Sequence, residues 1–393
     1  MSLLEIRQLT AQEYDVSLAL AEYAFQYKLS PEEREKGRER FIPERIWGVF
    51  ENGELLARLG LLPFQTYLQG KAFRMGGIGG VSTWPEKRRS GLVSGLLSRV
   101  LVHMKEQGCS LSFLHPFSIS FYRKFGWEVL SDCKKYTISS EKFPAKTKVV
   151  GSVKRDVKDI ILLDQIYQTF AQKYNGALVR DSAWWERGVL NKEIYSAVYF
   201  SEAGEPEGYT FYNIQNRELL VEEFIFLNKT AHQALWTFLA NHDSMVNQAV
   251  VNRVPADDIL PFMLQDPRCK QEYIPNGMAR IVDASAFVRE YPFQAPAAHV
   301  RININIEDSF APWNDGWWSL DVSTDGTGRL VKSEQGTSSS GLVCDINTLT
   351  AMLIGYKRPK EMLTCGRLHG SEAEATALEQ LIPRSTTALF DFF

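Results

Sequence analysis

The sequence predicts an α/β (α+β) chain built on mixed sheets and divided into three domains. Three observations carry this. Within residues 1–148, antiparallel strand signals lead into a strand–turn–helix–strand order. The same rhythm returns in 149–280. From 281 to 393 the pattern changes to short strands separated by Gly, Asn and Asp, followed by a helix. A length of 393 residues accommodates two or three domains.

In the first domain, Ala11–Tyr27 reads as a helix with Tyr14, Leu18, Ala21, Tyr23 and Phe25 on its apolar side. Ile46–Phe50 reads as a strand, and Asn52-Gly53 as a hairpin turn. Leu55–Tyr67 returns, Gln69-Gly70 turns again, and Ala72–Thr83 runs out as the next strand. A basic turn follows, with Pro85, Lys87, Arg88, Arg89 and Gly91. Leu92, Leu96, Val100 and Met104 then fall at helical spacing, and Gly108 is the stop. Helix N-terminal N–H groups are unpaired and carry a partial positive charge. With two guanidinium groups beside them they form an anion seat suited to a pyrophosphate. Ser110–His115 reads as a strand, Ser118–Phe125 as a helix closed by Gly126, and Trp127–Ile138 as a strand.

The second domain repeats the rhythm without the basic turn. Ile194–Ser201, Tyr209–Asn213 and Leu219–Leu227 read as strands, and Ala231–Asn241 as a helix. Asn228-Lys229-Thr230 stands where the first domain has Arg88-Arg89-x-Gly91, so one anion seat per chain is expected. In the third domain, Arg301–Glu307, Trp317–Val322, Leu330–Ser333 and Leu342–Asp345 read as strands, and Ile346–Gly355 as a helix with Asp345 as N-cap. Trp313, Trp317 and Trp318 read as core or domain-interface aromatics.

A net charge of −3 gives no general support for nucleic-acid binding. Five widely spaced cysteines lack CxxC or Cys/His spacing, so neither a disulfide framework nor a metal site is expected. The N-terminus does not read as a signal peptide, and no apolar run approaches the ~20 residues that span a bilayer. A cytoplasmic setting without a membrane partner is expected.

The string Val81-x-Thr83-x-Pro85-x-x-Arg88-Arg89-x-Gly91, the later Phe121-Tyr122-Arg123-Lys124-Phe125-Gly126-Trp127 and the order of elements resemble the GNAT N-acetyltransferases, and more narrowly the Eis-type (enhanced intracellular survival) family. The resemblance implies tandem GNAT-like acetyltransferase domains (1–148 catalytic, 149–280 without the cofactor motif) and a sterol-carrier-protein-2-like α+β domain over 281–393. It also implies acetyl-CoA as cosubstrate and a homo-oligomer, with a hexamer as one form. Its amine substrates are aminoglycosides, polyamines or lysine side chains of peptides and proteins. Lys87, Arg88, Arg89, Gly91 and Leu92 would seat the pyrophosphate. The backbone of Val81, Ser82 and Thr83 would align the pantetheine arm.

Acyl transfer to an amine needs an acid for the leaving thiolate and a base for the amine. Tyr122 is the candidate acid, since a phenol with a pKa of ~10 is protonated at neutral pH. Read bare, it is rather a buried aromatic at a helix–strand junction; its place in Phe121-Tyr122-x-x-x-Gly126-Trp127, which matches the family motif, turns the reading to the acid. The chain ends Ala-Leu-Phe-Asp-Phe-Phe, which suggests a docked terminus. That docking is either simple packing or delivery of the Phe393 carboxylate to the site. The family places its terminal carboxylate in the first domain, which makes Phe393 the candidate base. His115, just before Pro116, invites attention as a base but reads as a satisfied strand-end histidine, and Glu22 and Asp391, which could add negative charge to an amine pocket, read as surface or cap residues. Cys109 and Cys133 lack a nucleophile pattern, so the amine is expected to attack directly. The competing class is a non-catalytic acyl-CoA or lipid sensor.

Overall fold

The computed structural model describes residues 4–190, 193–333 and 340–393. Its first unit contains β1 (Leu4–Gln8), α1 (Tyr14–Phe25), α2 (Pro31–Glu39), β2 (Ile46–Glu51), β3 (Glu54–Leu68), β4 (Lys71–Thr83), α3 (Leu92–Glu106), β5 (Leu111–Leu114), α4 (Ile119–Arg123) and β6 (Glu128–Ser139). Both hairpins follow from their turn residues. Asn52 and Gly53 have φ of 51° and 84°, and Gln69 and Gly70 have 51° and 74°. Two successive positive φ values match the right-handed twist of the flanking strands. On α3, Leu92, Leu96, Val100 and Met104 are all buried against the sheet, as their spacing requires.

The second unit contains β7 (Ser152–Arg155), α5 (Ile160–Ala171), β8 (Tyr174–Asn175), β9 (Leu178–Val179), β10 (Tyr195–Phe200), β11 (Pro206–Gln215), β12 (Glu218–Phe226), α6 (Lys229–Ala240), β13 (Gln248–Pro255) and β14 (Lys270–Ile281). The two units share one sheet, in the order β1-β2-β3-β4-β5-β14-β6-β13-β12-β11-β10-β7, with β9 added to β3. β14 lies between β5 and β6, antiparallel to both, so the second unit closes the first.

Among the elements that sequence reasoning missed are α2 and β14, and the reasons are physical. α2 reads PEEREKGRE and buries no residue, so it has no apolar period. Its signal is the reciprocal cap, in which Ser30 accepts from the Glu33 amide at 3.2 Å and Glu33 accepts from the Ser30 amide at 2.7 Å. β14 contains Pro275 and Gly277, which read as turn residues. Boundaries also move. α1 begins at Tyr14 after a short turn, and the predicted Ile346–Gly355 helix ends at Leu353.

The third unit has a four-stranded sheet, β17-β16-β15-β18, formed by β15 (Val300–Glu307), β16 (Gly316–Val322), β17 (Gly328–Lys332) and β18 (Leu342–Asp345). Asp345 caps the following helix by accepting from the Thr348 amide at 2.7 Å. This unit shares a core with the first sheet, since Phe73, Met75, Leu111 and Phe113 lie in one apolar cluster with Ile302, Trp318 and Leu349. Trp313 Nε1 donates to the Val282 carbonyl at 2.8 Å. Trp313 and Trp318 are therefore interface and core aromatics. No helix among the described residues is long and apolar enough to cross a membrane.

A fully buried ion pair fastens this seam. Arg280 Nη2 donates to both Asp308 oxygens, at 2.7 and 2.6 Å, and Arg280 Nη1 donates to the Phe125 carbonyl. Breaking one side of a buried pair strands the other charge. Asp308→Ala is expected to lower stability by about 3–5 kcal/mol in denaturant unfolding; a loss below about 1 kcal/mol would show that the seam does not depend on the pair.

Candidate active site

The site grows from the end of β4. β4 and β5 run parallel and pair from Met75↔Leu111 to Ile78↔Leu114. Beyond Ile78, β4 continues to Thr83 without β5. On its other edge β4 is bulged against β3, where Ser82 faces Arg58 and Gly79 faces Gly60. The β5-facing edge of Gly79–Thr83 thus presents backbone groups to a cleft between diverging strands.

The basic turn caps this cleft. Arg89 and Gly91 have φ of 64° and 83° and fold the chain sharply into α3. Gly91 is the N-cap of α3 and supplies no side chain, so the first amides of the helix face outward without a protein cap. Arg88 and Arg89 are exposed and make no ion pair among the described residues. Lys87 differs, because its Nζ lies 3.0 Å from Glu51, which already neutralises it. Val81 is half-buried, and Ser82 and Thr83 are buried on the strand leading in. These groups fit a diphosphate with an extended arm. The matching place in the second unit does not, because Asn228 caps α6 by accepting from the Ala231 amide at 2.9 Å.

Tyr122 stands on α4, whose first turn is held by Ser118 accepting from the Phe121 amide at 3.3 Å. Its ring is buried in the apolar cluster that contains Ile78 and Leu114, the last paired residues of β4 and β5. Burial pushes the phenol up to about 12. Its hydroxyl has no hydrogen-bond partner among the described residues.

The chain end reaches the same place from the opposite face of β4. Successive strand residues alternate faces, so Gly77 and Gly79 point away from Ile78. A Cβ on Gly79 would stand 3.3 Å from the Phe393 carboxylate carbon, and one on Gly77 would stand 2.9 Å from the Phe393 ring. The two glycines make room for Phe393. The Phe393 ring packs against Phe64, His115 and Trp184, with centroids 5.1, 5.3 and 6.4 Å apart. Among the described residues its carboxylate has no cationic partner.

His115 holds this end down. Its Nε2 donates to the Asp391 carbonyl at 2.9 Å, and Phe392 lies over its ring at 4.5 Å. Burial lowers its pKa to about 4, partly opposed by the hydrogen bond, so the imidazole is neutral. It is the satisfied strand-end histidine of the sequence reading, with a clamping role that the sequence does not reveal. Asp391 is no surface residue: it is buried and paired with Arg180 at 2.9 Å. Glu22 is also buried, accepts from the Leu29 amide at 3.0 Å and pairs with Arg34 at 2.6 Å. Neither acid is a free charge for an amine pocket. Burial raises the Cys109 and Cys133 thiols, which makes them poor nucleophiles.

Residues 5–130 match the Acetyltransferase (GNAT) domain family, residues 176–281 match a second Acetyltransferase (GNAT) domain family, and residues 284–389 match the Sterol carrier protein domain family. The chain is 26% identical over 374 residues to an uncharacterized N-acetyltransferase of Streptomyces coelicolor, with 88% of each chain covered. It is similar to a solved structure from Enterococcus faecalis described as a "Probable N-Acyltransferase", at 28% identity and a TM-score of 0.93. It is also similar to Eis1 from Mycobacterium abscessus, at 20% identity and a TM-score of 0.81. Both likenesses cover 100% of each chain.

A histidine whose folded pKa lies below its unfolded value of ~6.5 favours folding in its neutral form. That contribution is complete above pH ~6.5 and is lost as pH falls toward about 4. The His115 ring resonance in NMR is expected to titrate near pH 4; a midpoint near ~6.5 would mean that the clamp is open to water.

Proposed function

We propose that this chain, which belongs to the Eis-like GNAT acetyltransferase family, transfers the acetyl group of acetyl-CoA to a primary amine by direct attack of the amine on the thioester. Residues 1–148 carry the chemistry, 149–280 form a GNAT-like unit without a cofactor turn, and 281–393 return the chain end to the site. The observation that carries this reading is the terminal carboxylate against Gly79, beside the cleft where β4 leaves β5.

Each residue has one task. Arg88, Arg89 and the amides of Gly91 and Leu92 hold the pyrophosphate by charge-assisted hydrogen bonds. Lys87 shapes the turn through its ion pair with Glu51. The free edge of Val81, Ser82 and Thr83 aligns the pantetheine arm, and an N–H there polarises the carbonyl. The Phe393 carboxylate attracts the cationic amine and takes its proton, directly or through a water. As the C–N bond forms and the C–S bond breaks, Tyr122 supplies a proton to the departing sulfur. Its neutral phenol is the correct form for that role at any physiological pH.

We place the substrate among aminoglycosides, polyamines and lysine-bearing peptides. Thiol release from acetyl-CoA with kanamycin A, spermidine and a lysine peptide tests this. Turnover with at least one is expected; tight CoA binding without turnover of any amine would favour a sensor.

Tyr122→Phe is expected to lower kcat by about 100-fold or more while CoA affinity changes less than about twofold. A parallel loss of CoA affinity in a calorimetric titration would contradict the acid role. Deleting Phe393 is expected to lower kcat by a comparable ~100-fold with KM for acetyl-CoA unchanged. Full activity of the shortened chain would remove the carboxylate from the mechanism.

A further inference from the structure

The second GNAT-like unit keeps the architecture of a cofactor cleft. Its β12 and β13 run parallel and pair from Glu218↔Gln248 to Val221↔Val251, then diverge, as β4 and β5 do beyond Ile78. β11 and β12 are bulged near Phe211, as β3 and β4 are near Arg58. The contents of this cleft are the chain's own last residues. Phe390 is buried there between Phe170 and Tyr174, with ring centroids 5.7 and 5.6 Å away. Arg253, two residues past the last β12–β13 pair, has its Nη1 3.4 Å from the Phe390 carbonyl.

Glu223, two residues beyond the last β12–β13 pair and opposite Phe211 on β11, begins an ionic chain that ends at Asp391. Arg180 donates to both Glu223 oxygens, at 3.0 and 2.6 Å, and its Nε donates to Asp391 at 2.9 Å. The guanidinium is buried between aromatic faces, 3.7 Å from the Tyr167 centroid and 4.7 Å from that of Trp185. Trp184 Nε1 and Tyr167 OH add donors to Asp391, at 2.8 and 3.3 Å. Tyr209 OH donates to Glu223. Burial alone would disfavour the Arg180 charge, but Asp391 and Glu223 outweigh it and raise the pKa above the ordinary arginine value.

The terminal segment crosses the shared sheet on fixed contacts. Asn276 on β14 donates to the Leu389 carbonyl at 2.8 Å, Arg253 to Phe390, His115 to Asp391, and Gly79 faces the carboxylate. Asp391 is the one side chain of the last three residues that is held by ions.

We propose that the cofactor cleft of the second GNAT-like unit serves as the socket for the terminal segment, and that Arg180, through Asp391, positions the Phe393 carboxylate in the first unit's active site. This rests on the base role of that carboxylate. Arg180 is a positioning residue, since it touches neither the carboxylate nor the cleft of β4 and β5. The socket also accounts for a second unit that retains its splayed strands while its helix N-terminus is self-capped.

Asp391→Asn keeps the side-chain shape and removes the charge held by Arg180. Trp184→Phe removes one donor and keeps an aromatic ring against Phe393, so it tests the same point should the first variant fail to fold. Two measurements decide. The first is the release of terminal phenylalanine by carboxypeptidase, followed by mass spectrometry, which needs no turnover. It is expected to be about tenfold faster in either folded variant. The second is a cycle with the Phe393 deletion, using kanamycin A or spermidine. Each substitution is expected to lower kcat by about tenfold or more in the full chain and by less than about twofold in the shortened chain, with KM for acetyl-CoA unchanged in both. Unchanged phenylalanine release, or equal kcat losses in both backgrounds, would overturn the socket. A fully active deletion would remove the base and the socket's catalytic purpose together. An inactive deletion beside fully active substitutions would overturn the socket alone.

Discussion

The buried guanidinium of Arg180 is the contact on which the position of the last residues depends. It binds one carboxylate from β12 and one from the terminal segment, in a setting where an unpaired charge is strongly destabilising. Ionic contact in such a place fixes geometry more than it adds stability. Apolar packing of Leu389 and Phe390 supplies attraction without fixing a register, whereas the fork of Arg180 allows Asp391 few arrangements. The carboxylate two residues further on inherits that definition.

The three units are bound into one device by the shared sheet. β14 closes the first unit from the second, and the Arg280–Asp308 pair ties β14 to the third. The two clefts therefore keep a fixed relation, and a short segment can bridge them. Gly77 and Gly79 complete the arrangement by admitting the terminal ring and carboxylate against the backbone of β4. The helix at the end of β4 is uncapped and flanked by arginines, while its counterpart in the second unit is capped by Asn228. In the proposed reading the uncapped helix takes the external diphosphate and the self-capped one does not.

Local features were legible in the sequence. The two hairpins, the basic turn, the α3 period and the Asp345 cap each depend on neighbours within a few residues, and each forms where its pattern predicts. The docked terminus was legible because three phenylalanines at a chain end require cover. What the sequence withheld was long-range. Arg180 and Asp391 are 211 residues apart, and nothing near either marks it as paired. Asp391 reads as a polar interruption in an apolar tail until its partner is known. Lys87 reads as a third phosphate ligand until Glu51, on another strand, takes its charge. β14 stayed hidden because Pro275 and Gly277 interrupt its pattern.

The central claim is that a free carboxylate at the last atom of the chain acts at the first unit's cleft. The direct measurement is acetyl transfer by protein prepared by semisynthesis with a C-terminal carboxamide, which preserves every residue and removes only the charge and basicity of that group. The account predicts that the carboxamide protein binds CoA as the native chain does and loses turnover by about 100-fold or more. Turnover equal to that of the native chain would contradict it.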